Sequence, residues 1–276
     1  MYVQKDNAAS RKPVTVPGLR AMKEQGRKIV MLTAYDATFA FQLEQAGVDV
    51  ALVGDSLGMV MQGLSSTLPV TLDQMVYHTT LVARGLRQTL LVADLPFMSD
   101  RDVPHALAAA ARLVGEGGAA MVKIEGAAVH ILDAIEALSA RNIPVCAHLG
   151  LTPQAVHAFG GFKIQGREQS AADKLLADAL AVQQAGAALL VMEGVPVALG
   201  ERITQALAIP VIGIGAGPHC DGQVLVLHDM LGITPGKRPK FSKDFLAGRD
   251  SVAAAIGAYV EDVRNGAFPA PEHCFN

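Results

Sequence analysis

Short apolar runs recur along the chain at residues 29–34, 50–54, 90–94, 119–124, 143–148, 188–192 and 209–214. They are rich in Val, Ile and Leu and lack the apolar–polar alternation of a half-solvated strand. Such runs read as parallel strands buried on both faces. Between them lie Ala-rich stretches with helical spacing, such as Pro104–Gly115, Ala127–Ala140 and Ala171–Gly186. Strand and helix alternate without a long Pro- or Ser-rich linker, the pattern of a parallel sheet wrapped by helices. Seven strands are clear. Val224–Leu227 has strand propensity but occupies the place of the helix after strand seven, with Asp221 as its N-cap, and is read as helix. The eighth strand is then expected as a short piece near Pro239–Phe241. Seven or eight βα units favour an α/β fold of (βα)8 TIM-barrel type over an open doubly wound sheet.

Helix-start signals support this register. Thr71-Leu72-Asp73-Gln74 fits a capping box, and Thr152-Pro153 places an N-cap before a proline. Val16–Gly26 is expected to form an extra N-terminal helix with Leu19 and Met22 on one face. Residues 1–13 read as a flexible tail, 14–276 as one barrel domain, and Ser251–Val263 as a last exterior helix. Two connectors are long, Ser56–Val70 and Gly160–Gln169, and loops of that length above a barrel serve as lids or binding loops.

Composition narrows the class. Of 276 residues, 51% are hydrophobic and 18% charged, enough apolar material for a large core. The formal net charge of −3 and the lack of a dominant basic face favour neither nucleic acid nor an anionic membrane as partner. No stretch offers the roughly 18 apolar residues of a membrane span. The three cysteines, Cys146, Cys220 and Cys274, form no CxxC pair, and residues 1–12 carry no apolar leader. A cytoplasmic protein with reduced thiols is expected.

Four of the apolar runs stop at an acid: Asp55, Asp94, Glu125 and Glu193. The C-terminal ends of parallel strands are where barrels of this type build active sites. Asp55, Asp94 and Glu125 follow strands two, three and four. Carboxylates that close together repel one another, and a cation relieves the repulsion. The hard ion Mg²⁺ takes oxygen ligands and keeps positions for water and substrate. No His/Cys cluster has zinc-like spacing. One strand-end acid could as readily cap a helix or pair with Arg; three on successive strands point to a metal.

Lys123 lies two residues before Glu125 and so shares its strand face. It could bind a substrate carboxylate, stabilise an enolate oxygen or form a Schiff base, or simply pair with an acid. Glu193, after strand six, is placed as a general base or as an acid at a helix N-terminus. His148 could donate to a substrate oxygen or be a structural donor. Ser56 offers a hydroxyl and an N–H to a carboxylate but lacks a G-x-S-x-G elbow. Gly213–Gly217 is either an anion-binding turn or only a tight turn, and it is not G-x-G-x-x-G.

Ten segments together resemble the ketopantoate hydroxymethyltransferase family: TAYDATFA (33–40), VGDSLGMVMQG (53–63), STLPVTLDQMVYHT (66–79), ADLPFM (93–98), VKIEG (122–126), PVCAHLGLTPQ (144–154), GGFKIQGR (160–167), VMEGVP (191–196), IPVIGIGAG (209–217) and DGQVLVLHDMLGI (221–233). They run in order over nearly everything from about Val14 onward. The resemblance implies a (βα)8 barrel of the phosphoenolpyruvate/pyruvate-type superfamily. It implies hydroxymethyl transfer from 5,10-methylenetetrahydrofolate to 3-methyl-2-oxobutanoate, in pantothenate biosynthesis. It matches Asp55, Asp94 and Glu125 to magnesium positions, Asp55, Ser56, Asp94 and Lys123 to keto-acid contacts, and Glu193 to the proton acceptor. A cytoplasmic homodecamer is implied as well. Ala147 stands where the family pattern has Gly, and Gly194 where other small residues occur. A related C–C lyase of the isocitrate-lyase kind would show a Lys-Lys/Arg-Cys-Gly-His loop, which the sequence lacks. A silent, metabolite-sensing barrel would be expected to have lost an acid or the lysine.

Overall fold

In the computed structural model, which describes residues 11–276, eight short strands form one all-parallel sheet. They are β1 (Ile29–Thr33), β2 (Val50–Val53), β3 (Leu90–Asp94), β4 (Met121–Glu125), β5 (Val145–Gly150), β6 (Leu189–Glu193), β7 (Val211–Ile214) and β8 (Gly222–Leu225). Each pairs with the next, and β8 pairs with β1, so the sheet closes into a barrel. The helices are α1 (Val16–Glu24), α2 (Ala37–Ala46), α3 (Leu57–Val60), α4 (Leu72–Gly85), α5 (Val103–Gly115), α6 (Val129–Ser139), α7 (Val156–Phe159), α8 (Gln169–Gln184), α9 (Val197–Ala206), α10 (Leu227–Met230) and α11 (Val252–Arg264).

Alternation along each strand sorts the side chains into two cores. Val30, Leu32, Val53, Leu91, Val122, Ala147, Leu190 and Val211 pack outward against the helices. Ile29, Met31, Val50, Leu52, Leu90, Val92, Met121, Cys146, Leu189, Val191, Ile212 and Val224 fill the interior. Leu19 and Met22 of α1 join this inner cluster next to Ile29, so the amphipathic N-terminal helix plugs the end where the strands begin. Thr15 caps α1, and the Thr71–Gln74 capping box at α4 forms in full. Residues 1–10 of the expected tail lie outside the described residues. Arg11 is anchored: it donates to Gly47 O and Val48 O and pairs with Asp49 at 3.3 Å.

The eighth strand corrects the sequence reading. It is Gly222–Leu225, not a piece near Pro239–Phe241, and the helix expected over Val224–Leu227 is replaced by the end of β8 and the one-turn α10. Asp221 caps no helix there; its Oδ2 accepts from Val211 N and Lys23 Nζ. Gly222 explains the preference. Its Cα lies so close to β1 that a Cβ would overlap the Ile29 carbonyl. The glycine lets β8 slot between β7 and β1, and this closes the cylinder.

Candidate functional site

The inner-face register determines which acids meet. Leu90, Val92 and Asp94 alternate inward on β3, as do Met121, Lys123 and Glu125 on β4, Cys146 and His148 on β5, and Leu189, Val191 and Glu193 on β6. The apolar members fill the barrel and the ionisable ones stand above them at the C-terminal mouth. Neighbouring strands place Asp94 opposite Lys123 and Glu125 opposite His148. Asp55 is out of phase with inward Val50 and Leu52. It reaches the site because the chain leaves strand geometry at Gly54, and its N–H then donates to Asp94 Oδ2 at 3.1 Å.

The result is one buried network. Lys123 Nζ contacts Asp94 Oδ1 at 2.7 Å and Glu125 Oε1 at 3.9 Å. His148 lies between two acids, with Nδ1 3.3 Å from Glu125 Oε1 and Nε2 3.3 Å from Glu193 Oε2. Glu193, two strands beyond Glu125, is tied to the other acids through this histidine. Gln154 Nε2 donates to Asp55 Oδ2 at 2.9 Å and Leu95 O at 3.0 Å, and its N–H donates to Glu125 Oε2 at 3.0 Å. Tyr35, fully buried, places its hydroxyl 2.9 Å from Ser56 Oγ.

Electrostatics follow from burial and proximity. Burial, then the charges of Asp94 and Glu125, push the Asp55 carboxyl well above its usual range, against Lys123 and Gln154. Burial works against the Lys123 ammonium, but Asp94, Glu125 and Asp55 outweigh it and raise its pKa. Burial would raise Glu125 too, yet the close contact with the His148 ring, with Lys123 and the Gln154 N–H, holds it below the ordinary value. For His148, burial and Lys123 oppose protonation; the carboxylates of Glu125 and Glu193, each 3.3 Å from a ring nitrogen, prevail and push it up to about 9.

The donor set suits a hard divalent cation. It consists of oxygens, in carboxylates whose crowding lifts the proton affinity of Asp55, and Asp94 Oδ1 and Glu125 Oε1 are buried without an aligned hydrogen bond. Among the described residues, no three His, Cys, Asp or Glu side chains already form a complete ligand group. Glu125 is drawn toward His148 and Gln154, so the arrangement fits an ion held by one or two carboxylates and completed by water, as Mg²⁺ commonly is.

Outside the mouth, a cleft of about 440 Å³ opens between Leu68–Leu72, Pro96–Ser99 and α5, and none of the four acids lines it. The Gly213–Gly217 turn acts as a turn: Gly215, at φ +61°, lies under the Phe241 and Phe275 rings. Gly194, at φ +58°, turns the chain away directly after Glu193, a left-handed conformation that favours glycine. The cysteines are free and buried, and burial raises Cys146 to about 12 and Cys220 to about 11.

A family model described as ketopantoate hydroxymethyltransferase matches residues 13–271. The chain belongs to this family. It is 56% identical over 270 residues to the 3-methyl-2-oxobutanoate hydroxymethyltransferase of Alkalilimnicola ehrlichii, covering 98% of this chain and 97% of that protein. It is 57% identical over 266 residues to the enzyme of the same name from Paraburkholderia phymatum, covering 96% and 97%. Among solved structures, a phosphonopyruvate hydrolase aligns with TM-score 0.62 at 15% identity over 95% of this chain and 99% of that one. A 2,3-dimethylmalate lyase, described as a PEP mutase/isocitrate lyase superfamily member, aligns at TM-score 0.56 and 17% identity over 76% and 80%. These distant likenesses show the fold, which this family shares with the mutases and lyases. Two residues of the network carried no signal when read singly. Gln154 lies within the matched LTPQ segment and Tyr35 within TAYD, but each matters through a partner far away in sequence or hidden in a turn.

Proposed function

We propose that the protein transfers a hydroxymethyl group from 5,10-methylenetetrahydrofolate to 3-methyl-2-oxobutanoate, giving 2-dehydropantoate. One observation carries the reading. Every ionisable residue that the family resemblance assigns to the reaction lies at a single barrel mouth, linked by contacts of 3.9 Å or less. Asp55, Asp94 and Glu125 would hold a magnesium ion. A phosphonopyruvate hydrolase of this fold has been solved with oxalate and Mg²⁺, which supports that reading. When bound, the ion supplies Lewis-acid stabilisation of negative charge developing on the keto acid's oxygens.

The chain's own groups do the rest. The Glu193 carboxylate takes the proton from C3 of the keto acid. The electron pair left at C3 bonds to the folate's methylene carbon as the bond from that carbon to one folate nitrogen breaks; water then replaces the second nitrogen on the same carbon, and tetrahydrofolate leaves with the C3 proton on one nitrogen and a proton from water on the other. Lys123, held by Asp94, sets a fixed positive charge beside the developing oxyanion, where burial strengthens its effect. Ser56, positioned by Tyr35, offers a donor to the keto acid's carboxylate. His148 bridges Glu125 and Glu193 and keeps the base in place. The cytoplasmic location and homodecameric assembly expected from the resemblance belong to the same proposal, and light scattering of the purified protein tests the assembly.

Exchange of the C3 proton with deuterium reports the base separately from folate chemistry. Glu193→Gln is expected to slow that exchange about 10²–10⁴-fold while the keto acid still binds. Exchange at the wild-type rate would remove Glu193 from the role. The same assay with a chelator tests the cation, and cleavage of 2-methylisocitrate is expected to be undetectable.

A further inference from the structure

Gln154 occupies the short 3-10 turn Pro153–Ala155 just beyond β5, and nothing about a lone glutamine there announces chemistry. Its contacts are unusual in their reach. Both protons of the side-chain amide are used, one on Asp55 Oδ2 and one on Leu95 O, while the backbone N–H holds Glu125 Oε2. One residue thus ties together the ends of β2, β3, β4 and β5. It commits Asp55 Oδ2 and Glu125 Oε2, leaving Asp55 Oδ1 and Glu125 Oε1, the latter near His148 and Lys123 but without an aligned hydrogen bond.

We propose that Gln154 is a positioning residue for the divalent cation: it sets the rotation of the Asp55 and Glu125 carboxylates so that their remaining oxygens are preorganised for the ion. This rests on the reading of those acids as cation holders. An amide suits the task because it donates to an acid without adding a positive charge that would compete with the ion. Lys123 already supplies a fixed cation to the network, on Asp94. Partners that orient metal ligands in this way are worth about 10–100-fold in metal affinity.

The test uses the full-length protein, stripped of metal and titrated with Mn²⁺, free Mn²⁺ being counted by electron paramagnetic resonance. Gln154→Ala keeps the backbone N–H and removes both amide donors. It is expected to weaken Mn²⁺ binding about 10–100-fold. Activity lost at low Mg²⁺ should return at saturating Mg²⁺. A residue that merely fastened the turn would behave differently. Pro153→Ala loosens the same turn but keeps the amide donors, and it should retain wild-type Mn²⁺ affinity. The proposal falls if Gln154→Ala binds Mn²⁺ within twofold of wild type, or if Pro153→Ala weakens binding as much as Gln154→Ala does. Absence of Mn²⁺ binding by the wild type would overturn the cation reading itself, and this inference with it.

Discussion

At the residue scale, the Asp94–Lys123 pair decides how the acidic mouth is held together. Both side chains are almost wholly buried, at 3% and 5% exposure. A buried pair contributes little net stability, but removing one partner strands the other's charge. Lys123→Met is therefore expected to cost about 3–5 kcal/mol in the metal-free protein, read by urea unfolding, and part of the loss should return on adding Mg²⁺. An unchanged unfolding midpoint would show that Asp94 does not depend on the lysine. The acids and Lys123 were legible in the sequence because each interrupts or ends an apolar run, a local signal. Gln154 was not, since its partner Asp55 is 99 residues away. The role of His148 was half legible: its strand-end place showed, but its two carboxylate partners depend on three strands being neighbours.

At the element scale, β8 is where reading the chain failed, for a reason that can be stated. Residues 215–221 connect β7 to β8 without a helix, which breaks the βα alternation that every earlier unit obeys. A run of four apolar residues fits a buried strand or a turn of buried helix equally well by periodicity. Only pairing settles it, and β8 has both partners waiting, β7 on one side and β1 on the other. Gly222→Ala tests the assignment. The added methyl would overlap the Ile29 carbonyl oxygen, which as strand backbone cannot swing aside. A loss of at least about 2 kcal/mol in unfolding free energy is expected. A neutral substitution would mean that β8 does not lie against β1. Helix boundaries, in contrast, were read closely: α1, α5, α6 and α11 each end within two residues of the expected limits, because helical periodicity is local, and in α1, α5 and α11 so is the capping side chain.

At the scale of the whole molecule, the mouth couples stability to pH and, on the proposed reading of its acids, to a divalent cation. Asp55 is raised in the folded protein, so its contribution is present below its unfolded pKa and lost as pH climbs through the folded value. His148, raised to about 9, acts in the same direction between its ordinary 6.5 and about 9. Glu125, held below its ordinary value, matters only in acid. The metal-free protein should thus lose melting temperature from about pH 6.5 to 9. A bound divalent cation favours ionised Asp55, so the stabilisation by Mg²⁺ should grow as pH rises. Calorimetry with and without Mg²⁺ checks both, and a metal-free melting temperature that rises with pH would contradict the assigned shifts. The sequence by itself determined the periodic content: strands buried on both faces, helices between them, and acids at strand ends. These follow from nearest-neighbour chemistry, which any stretch of chain carries with it. The tertiary structure alone decided how the cylinder closes, that the out-of-phase Asp55 turns onto the mouth, and that Gln154 and His148 join four acids into one network. Those depend on which distant strands become neighbours, and that is settled only when all eight share one core.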